Sequence, residues 1–134
     1  YPSMVINDMK RIQDFVGSEG WRIYNQIHQQ SAEYLEMVLS QSRMTNNIVI
    51  SHHLPLYELT AGKYRNTYDN QYRQWFSGDS EDLCNLYNDV IKLWIYGHTH
   101  NPSVQTHYGI PMKCNPWGYQ GENSKANLQR VYVV

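Results

Sequence analysis

Two short stretches constrain this chain more than anything else in it: Ile48-Val-Ile-Ser-His-His-Leu-Pro-Leu56 and, further on, Leu93-Trp-Ile-Tyr-Gly-His-Thr-His-Asn-Pro102. In each, an apolar run of strand length leads straight into clustered histidines. A run of Ile, Val, Leu and Trp reads as a strand buried on both faces, the kind that builds parallel sheets in α/β proteins. Whatever follows such a strand lies at the carboxyl edge of the sheet, where α/β proteins place their sites. Extended backbone alternates its side chains, so His98 and His100 are expected to converge while Thr99 faces elsewhere, and His52 is expected opposite His53. Gly97 permits a close backbone turn between strand and histidines.

The rest of the chain supplies layers for such a sheet. Met4 to Phe15 begins apolar and turns polar, and Gly17-Ser-Glu-Gly20 reads as a loop. Ile27, Ser31, Tyr34, Leu35, Val38 and Leu39 recur at helical spacing and mark an amphipathic helix from about Asn25 to Ser40. Ile48 to Ser51 is the first buried strand. Leu83, Leu86, Tyr87, Val90 and Ile91 mark a second helix, with Leu93 to Tyr96 as the second buried strand. Asp79 or Ser80 would cap that helix, and Glu81 and Asp82 suit its first turn. Val104 to Tyr108, Ile110 to Cys114 and Leu128 to Val133 read as antiparallel strands, with a hairpin turn at Tyr108-Gly109-Ile110. Between Leu56 and Gly78 lies a long loop rich in Tyr, Asn, Gln and Arg, carrying Tyr57, Tyr64, Tyr68, Tyr72 and Trp75, which would cover a substrate or bind another chain. The fold class is α/β.

Composition excludes several functions. With 134 residues, 41% of them hydrophobic, and a formal net charge of −1, the chain can form one modest core and has no basic tract for nucleic acid or an anionic membrane. No apolar run reaches the roughly 18 residues of a membrane span. Cys84 and Cys114 lie far apart, outside any Cys-x-x-Cys setting, and read as buried small hydrophobes, which fits a reduced, cytoplasmic setting. The sequence opens on Tyr1, so it is expected to be processed, truncated or part of something longer.

His53-Leu54-Pro55 and Gly97-His98-Thr99-His100, each behind its own apolar strand, resemble the His-x-Pro and Gly-His-x-His elements of the calcineurin-like metallophosphoesterases. Asn7-Asp8, the His28-Gln-Gln-Ser-Ala-Glu-Tyr-Leu35 helix and Cys114-Asn-Pro-Trp-Gly-Tyr119 extend the likeness over nearly the whole chain. The resemblance implies half of a four-layer α-β-β-α sandwich, with residues 1–134 as the C-terminal part of a single phosphoesterase domain. It implies that His53 and His98 bind one metal and His100 the other, in a site holding two divalent or trivalent transition-metal ions such as Mn, Zn or Fe. Imidazole suits these ions, and an oxygen ligand bridging them becomes a nucleophile near neutral pH, able to hydrolyse a phosphomonoester or phosphodiester.

The family's other motifs do not precede His53: no Asp-x-His, no Gly-Asp-x-x-Asp for the bridging carboxylate, no Gly-Asn-His-Asp/Glu. Gly78-Asp-Ser-Glu-Asp82 spells the second of these but stands between the two histidine motifs, in the wrong order. Three histidines without a bridging carboxylate leave the repulsion between two cations unopposed. This chain alone therefore holds one metal ion at most and is expected to be inactive without a missing N-terminal half or a partner chain. The alternative is a non-catalytic structural or interaction subunit derived from a phosphoesterase. His52 is a candidate to orient a ligand or touch substrate, or else a packing residue. Asn115 and Tyr119 belong to the pocket rim or simply to the turn chemistry of their loop. His28 and His107 have no partner motif.

Overall fold

The computed structural model describes residues 8–42, 46–62, 77–124, 126–127 and 129–132. Four residues of the aromatic loop, Tyr64, Tyr68, Tyr72 and Trp75, lie outside them, as does Asn7. The chain forms two compact units, Tyr1–Val38 and Leu39–Val134.

The first unit contains α1 (Asp8–Arg11), a 3-10 turn (Gln13–Phe15) and all but the end of α2 (Gly20–Gln41). The long helix starts five residues before the expected Asn25. The Gly17-Ser-Glu-Gly20 run is a turn as expected up to Glu19, with Gly17 at φ 111° and Gly20 N–H donating to the Gly17 carbonyl (3.4 Å), and Gly20 opens the helix. The Glu19 carbonyl, just ahead of the helix, accepts from Arg22 and Ile23 N–H. Gly20 must be glycine: a Cβ there would lie 1.8 Å from the Phe15 carbonyl oxygen. This close approach sets the Phe15 ring edge-on to Tyr24, with centroids 5.6 Å apart. No described helix is long and apolar enough to cross a membrane.

The second unit is a mixed four-stranded sheet: β1 (Asn47–Ile50), β2 (Ile91–Ile95), β3 (Ser103–His107) and β4 (Ile110–Cys114), in the order β1-β2-β4-β3. β1 and β4 each run parallel to β2, and β3 returns antiparallel along β4. The β3–β4 turn is the two-residue Tyr108-Gly109, at φ 53° and 77°. Positive φ at both central residues matches the right-handed twist of the strands it joins. A short helix, α3 (Glu81–Leu86), precedes β2. Ser80 is its N-cap residue, yet its side chain makes no capping bond; the Ser80 carbonyl takes Cys84 N–H, and Glu81 and Asp82 face the first turn as expected. The helix is shorter than its periodicity suggests, since Tyr87 to Val90 form a turn and β2 starts at Ile91.

Strand register sorts the side chains by face. Val49, Trp94 and Met112 align across the sheet and are buried with Ile110 and Cys114 on the same face. On the other face the margins are open: Ile48 is 49% exposed and Ile50 75% on β1, and Val104 is 64% exposed on β3. Both cysteines are buried free thiols. Burial pushes each up to about 12, with the charge of Glu81 adding to the effect at Cys84.

The expected strand from Leu128 to Val133 is not formed among the described residues of that stretch. Asn127 turns the chain instead: its side-chain oxygen accepts Gln129 N–H and its carbonyl accepts Arg130 N–H. An Asx turn satisfies the backbone locally and removes it from ladder pairing.

Candidate functional site

The parallel pairing of β1 with β2 brings the two histidine motifs together. Ile50 stands beside Ile95, the next amide, Ser51 N–H, donates to the Ile95 carbonyl (3.0 Å), and Gly97 N–H donates to the His52 carbonyl (3.1 Å). Both strands therefore end at the same level, one motif bonded to the other through backbone. The Ser51 hydroxyl ties this corner down. It accepts the Trp94 indole N–H (2.9 Å) and donates to the His53 carbonyl (2.7 Å). A buried indole on β2 thus holds the bend that turns His53 out of β1.

Beyond that bend, Leu54 and Pro55 are buried. Their carbonyls accept Gly78 N–H (2.7 Å) and Ser80 N–H (2.8 Å), while Leu54 bridges to Ser77. The proline after Leu54 forbids a helical start there and keeps the segment extended enough to make this bridge.

Alternation does not orient the second motif. After Gly97 the chain is bent: His98 has φ 63°, His100 φ 49°, and Thr99 N–H closes onto the Gly97 carbonyl at 2.7 Å. Left-handed backbone costs a non-glycine residue about 1–2 kcal/mol, and two such residues in three is a concentration of strain of the kind found at functional sites. Thr99 points inward, its hydroxyl buried without a hydrogen-bond partner among the described residues. Gly97 packs closely on the first motif, since a Cβ there would meet the His52 carbonyl at 3.4 Å and its Nδ1 at 3.8 Å.

Three imidazoles gather at this corner. His53 and His98 have ring centroids 4.8 Å apart, His52 and His98 5.0 Å, His52 and His53 5.1 Å. His52 therefore does not face away from His53 as strict alternation would have it; the bend at residues 52–53 ends the extended geometry on which that expectation rests. Two imidazoles on one tetrahedral zinc, each about 2.0–2.1 Å from the metal, have ring centres roughly 5 Å apart. The spacing and the donor type fit such an ion. The rings nevertheless meet edge-on or tilted, and among the described residues no three His, Cys, Asp or Glu side chains are grouped to hold a metal.

His100 keeps other company. Its Nδ1 lies 2.8 Å from Glu122 Oε2, and its ring meets the edge of Tyr119 with centroids 4.9 Å apart. Tyr119 N–H donates to the same carboxylate oxygen (2.8 Å), and Glu122 N–H donates back to the Tyr119 carbonyl (2.9 Å). Asn115 is engaged within the chain: its amide donates to the Asn127 carbonyl (2.7 Å) and accepts Asn127 N–H (3.2 Å). Asn123 donates to the Pro116 carbonyl at 2.7 Å, closing the loop on itself. His107 lies 3.3 Å from Gln105 within β3, and His28 is exposed on α2.

Glu122 is the residue that sequence reasoning missed. A glutamate in an irregular loop carries no periodic or motif signal; the only hint is its position three residues after Tyr119, within reach of a turn.

No protein-family model matches the chain, and no solved structure matches it. A stretch of 102 residues, 72% of the chain, is 30% identical to an uncharacterized protein of Acanthamoeba polyphaga mimivirus. The chain spans 36% of that viral protein's length.

Proposed function

We propose that this chain is the C-terminal part of a calcineurin-like metallophosphoesterase domain, which hydrolyses a phosphate ester once its N-terminal half completes the site. The observation that carries this reading is the meeting of His53 and His98, at 4.8 Å between ring centres, on the carboxyl ends of two adjacent parallel strands. Motifs from separate parts of the chain have no local reason to converge there. The left-handed strain at His98 and His100 supports it too.

The open margin of the sheet at β1 supports the missing half. Parallel strands are almost always covered on both faces, whereas β1 presents Ile48 and Ile50 to solvent. A second sheet packed on this face would make the four-layer α-β-β-α sandwich of the resemblance and bring the absent carboxylate ligands.

In the complete enzyme His53 and His98 would hold one transition-metal ion and His100 the second, with His52 at the margin of the first. Bound Mn, Zn or Fe supplies Lewis acidity toward a phosphoryl oxygen and a nucleophile near neutral pH. The chain's own contribution is placement. Ser51 and Trp94 fix the His53 backbone, Gly97 lets the two motifs touch, and Tyr119 shields one side of His100.

The test is hydrolysis of a phosphomonoester and a phosphodiester reporter by the native polypeptide carrying this sequence, with manganese or zinc added. Activity is expected, and His98→Ala is expected to abolish it. Hydrolysis that survives His98→Ala would overturn the site assignment, and a native polypeptide with no metal-dependent hydrolysis would leave the non-catalytic subunit.

A further inference from the structure

We infer that Glu122 is the positioning residue for His100, fixing the imidazole as its Nδ1–H tautomer and leaving Nε2 as the atom offered to a ligand. The inference deepens the reading above and rests on it for the identity of that ligand, a transition-metal ion.

A carboxylate only accepts hydrogen bonds, so at 2.8 Å from Glu122 Oε2 the His100 Nδ1 must be the nitrogen that carries the proton. In a neutral ring the lone pair is then on Nε2. The same oxygen accepts Tyr119 N–H at 2.8 Å, so two donors converge on it and hold its direction. The turn that achieves this is specific in backbone: Gly118 sits at φ 72°, and a Cβ on it would lie 2.8 Å from Glu122 Oε2. Any other residue at 118 would both strain the backbone and push the carboxylate off its seat. The carboxylate is itself only partly exposed, 34% against 32% for the imidazole. A carboxylate behind a ligating histidine orients the ring and raises its basicity, and removing such a partner costs about 10- to 100-fold in metal affinity.

The experiment reads the tautomer directly. The chain is labelled with ¹⁵N at histidine, and long-range proton–nitrogen correlations are recorded without metal, well above the pH range in which imidazole protonates. Native His100 is expected to show a proton-bearing Nδ1 and a bare Nε2. Glu122→Ala should shift it toward the Nε2–H form that free histidine prefers, and Gly118→Ala should do the same by displacing the carboxylate. Glu122→Gln, which keeps an acceptor oxygen of the same reach, should retain the native form. In the complete polypeptide zinc affinity should fall about 10- to 100-fold in Glu122→Ala, with no further loss when Glu122→Ala is added to His100→Ala. A His100 tautomer that is identical in the native chain and in Glu122→Ala would overturn the inference. Because the tautomer is read without metal or substrate, a failure of metal-dependent hydrolysis would remove the phosphoesterase reading alone.

Discussion

At the scale of single residues the site depends on backbone that few side chains tolerate. His98 adopts φ 63°, where glycine is at ease and alanine is not. His98→Gly should therefore be more stable than His98→Ala by about 1 kcal/mol, measured by urea denaturation of the two variants. Equal stabilities would mean that the left-handed bend is absent. Ser51 is a second such point, because one hydroxyl both accepts the Trp94 indole and donates to the His53 carbonyl. Ser51→Ala leaves a buried indole N–H without its acceptor and should cost about 1–3 kcal/mol, with Trp94 fluorescence shifted in the same variant. The histidines were legible in the sequence because clustered imidazoles after apolar strands stand out. Their arrangement was not, since alternation applies only while the chain stays extended, and it bends at residues 52–53 and again after Gly97. Glu122 was illegible for a related reason: a loop residue acts through a turn whose closure no periodic pattern announces.

The buried strands and the hairpin were legible from their apolar runs, whereas the ends of both longer helices and the last expected strand are set by local hydrogen bonds. β1 and β2 fall within two residues of their expected bounds, and the β3–β4 hairpin turns at Tyr108-Gly109. The last expected strand was lost to the Asx turn at Asn127, a competition that apolar spacing cannot register. Gly109, at φ 77°, should resist substitution: Gly109→Ala is expected to cost about 1 kcal/mol, read as a lower denaturation midpoint at unchanged slope. The buried thiols give a pH signature. Cys84 on α3 and Cys114 at the end of β4 are both raised from 9.0 to about 12. Below 9.0 each thiol is protonated in folded and unfolded chains alike, and its contribution is intact. As pH rises from there toward 12 the unfolded chain releases these protons while the folded chain keeps them, so stability falls. The Cys84→Ala, Cys114→Ala double variant should lose less stability across that window, and native thiols should react with iodoacetamide only after unfolding.

For the molecule as a whole, the second unit exposes Ile48 and Ile50 at the β1 margin while Leu93 on the same face is buried, and the proposed reading assigns that margin to a second sheet. The sequence indicated α/β order and a missing set of motifs; it did not indicate which strand side chains would be left exposed, because that follows from strand order and register. Ile50 lies at the open β1 margin at 75% exposure, so Ile50→Glu should change the stability of this chain by no more than about 0.5 kcal/mol. In the phosphoesterase domain proposed above the same substitution would bury a charge against a second sheet and should abolish hydrolysis. Unchanged activity in Ile50→Glu would mean that nothing covers β1.

In the proposed phosphoesterase site His53, His98 and His100 face transition-metal ions. The measurement that tests this most directly is anomalous X-ray scattering from crystals of the native polypeptide grown with zinc. One peak is expected about 2.0–2.1 Å from the imidazole nitrogens of His53 and His98, and a second at the same distance from His100 Nε2 with Glu122 still on Nδ1. Zinc bound elsewhere, or no peak beside these three rings, would contradict that placement.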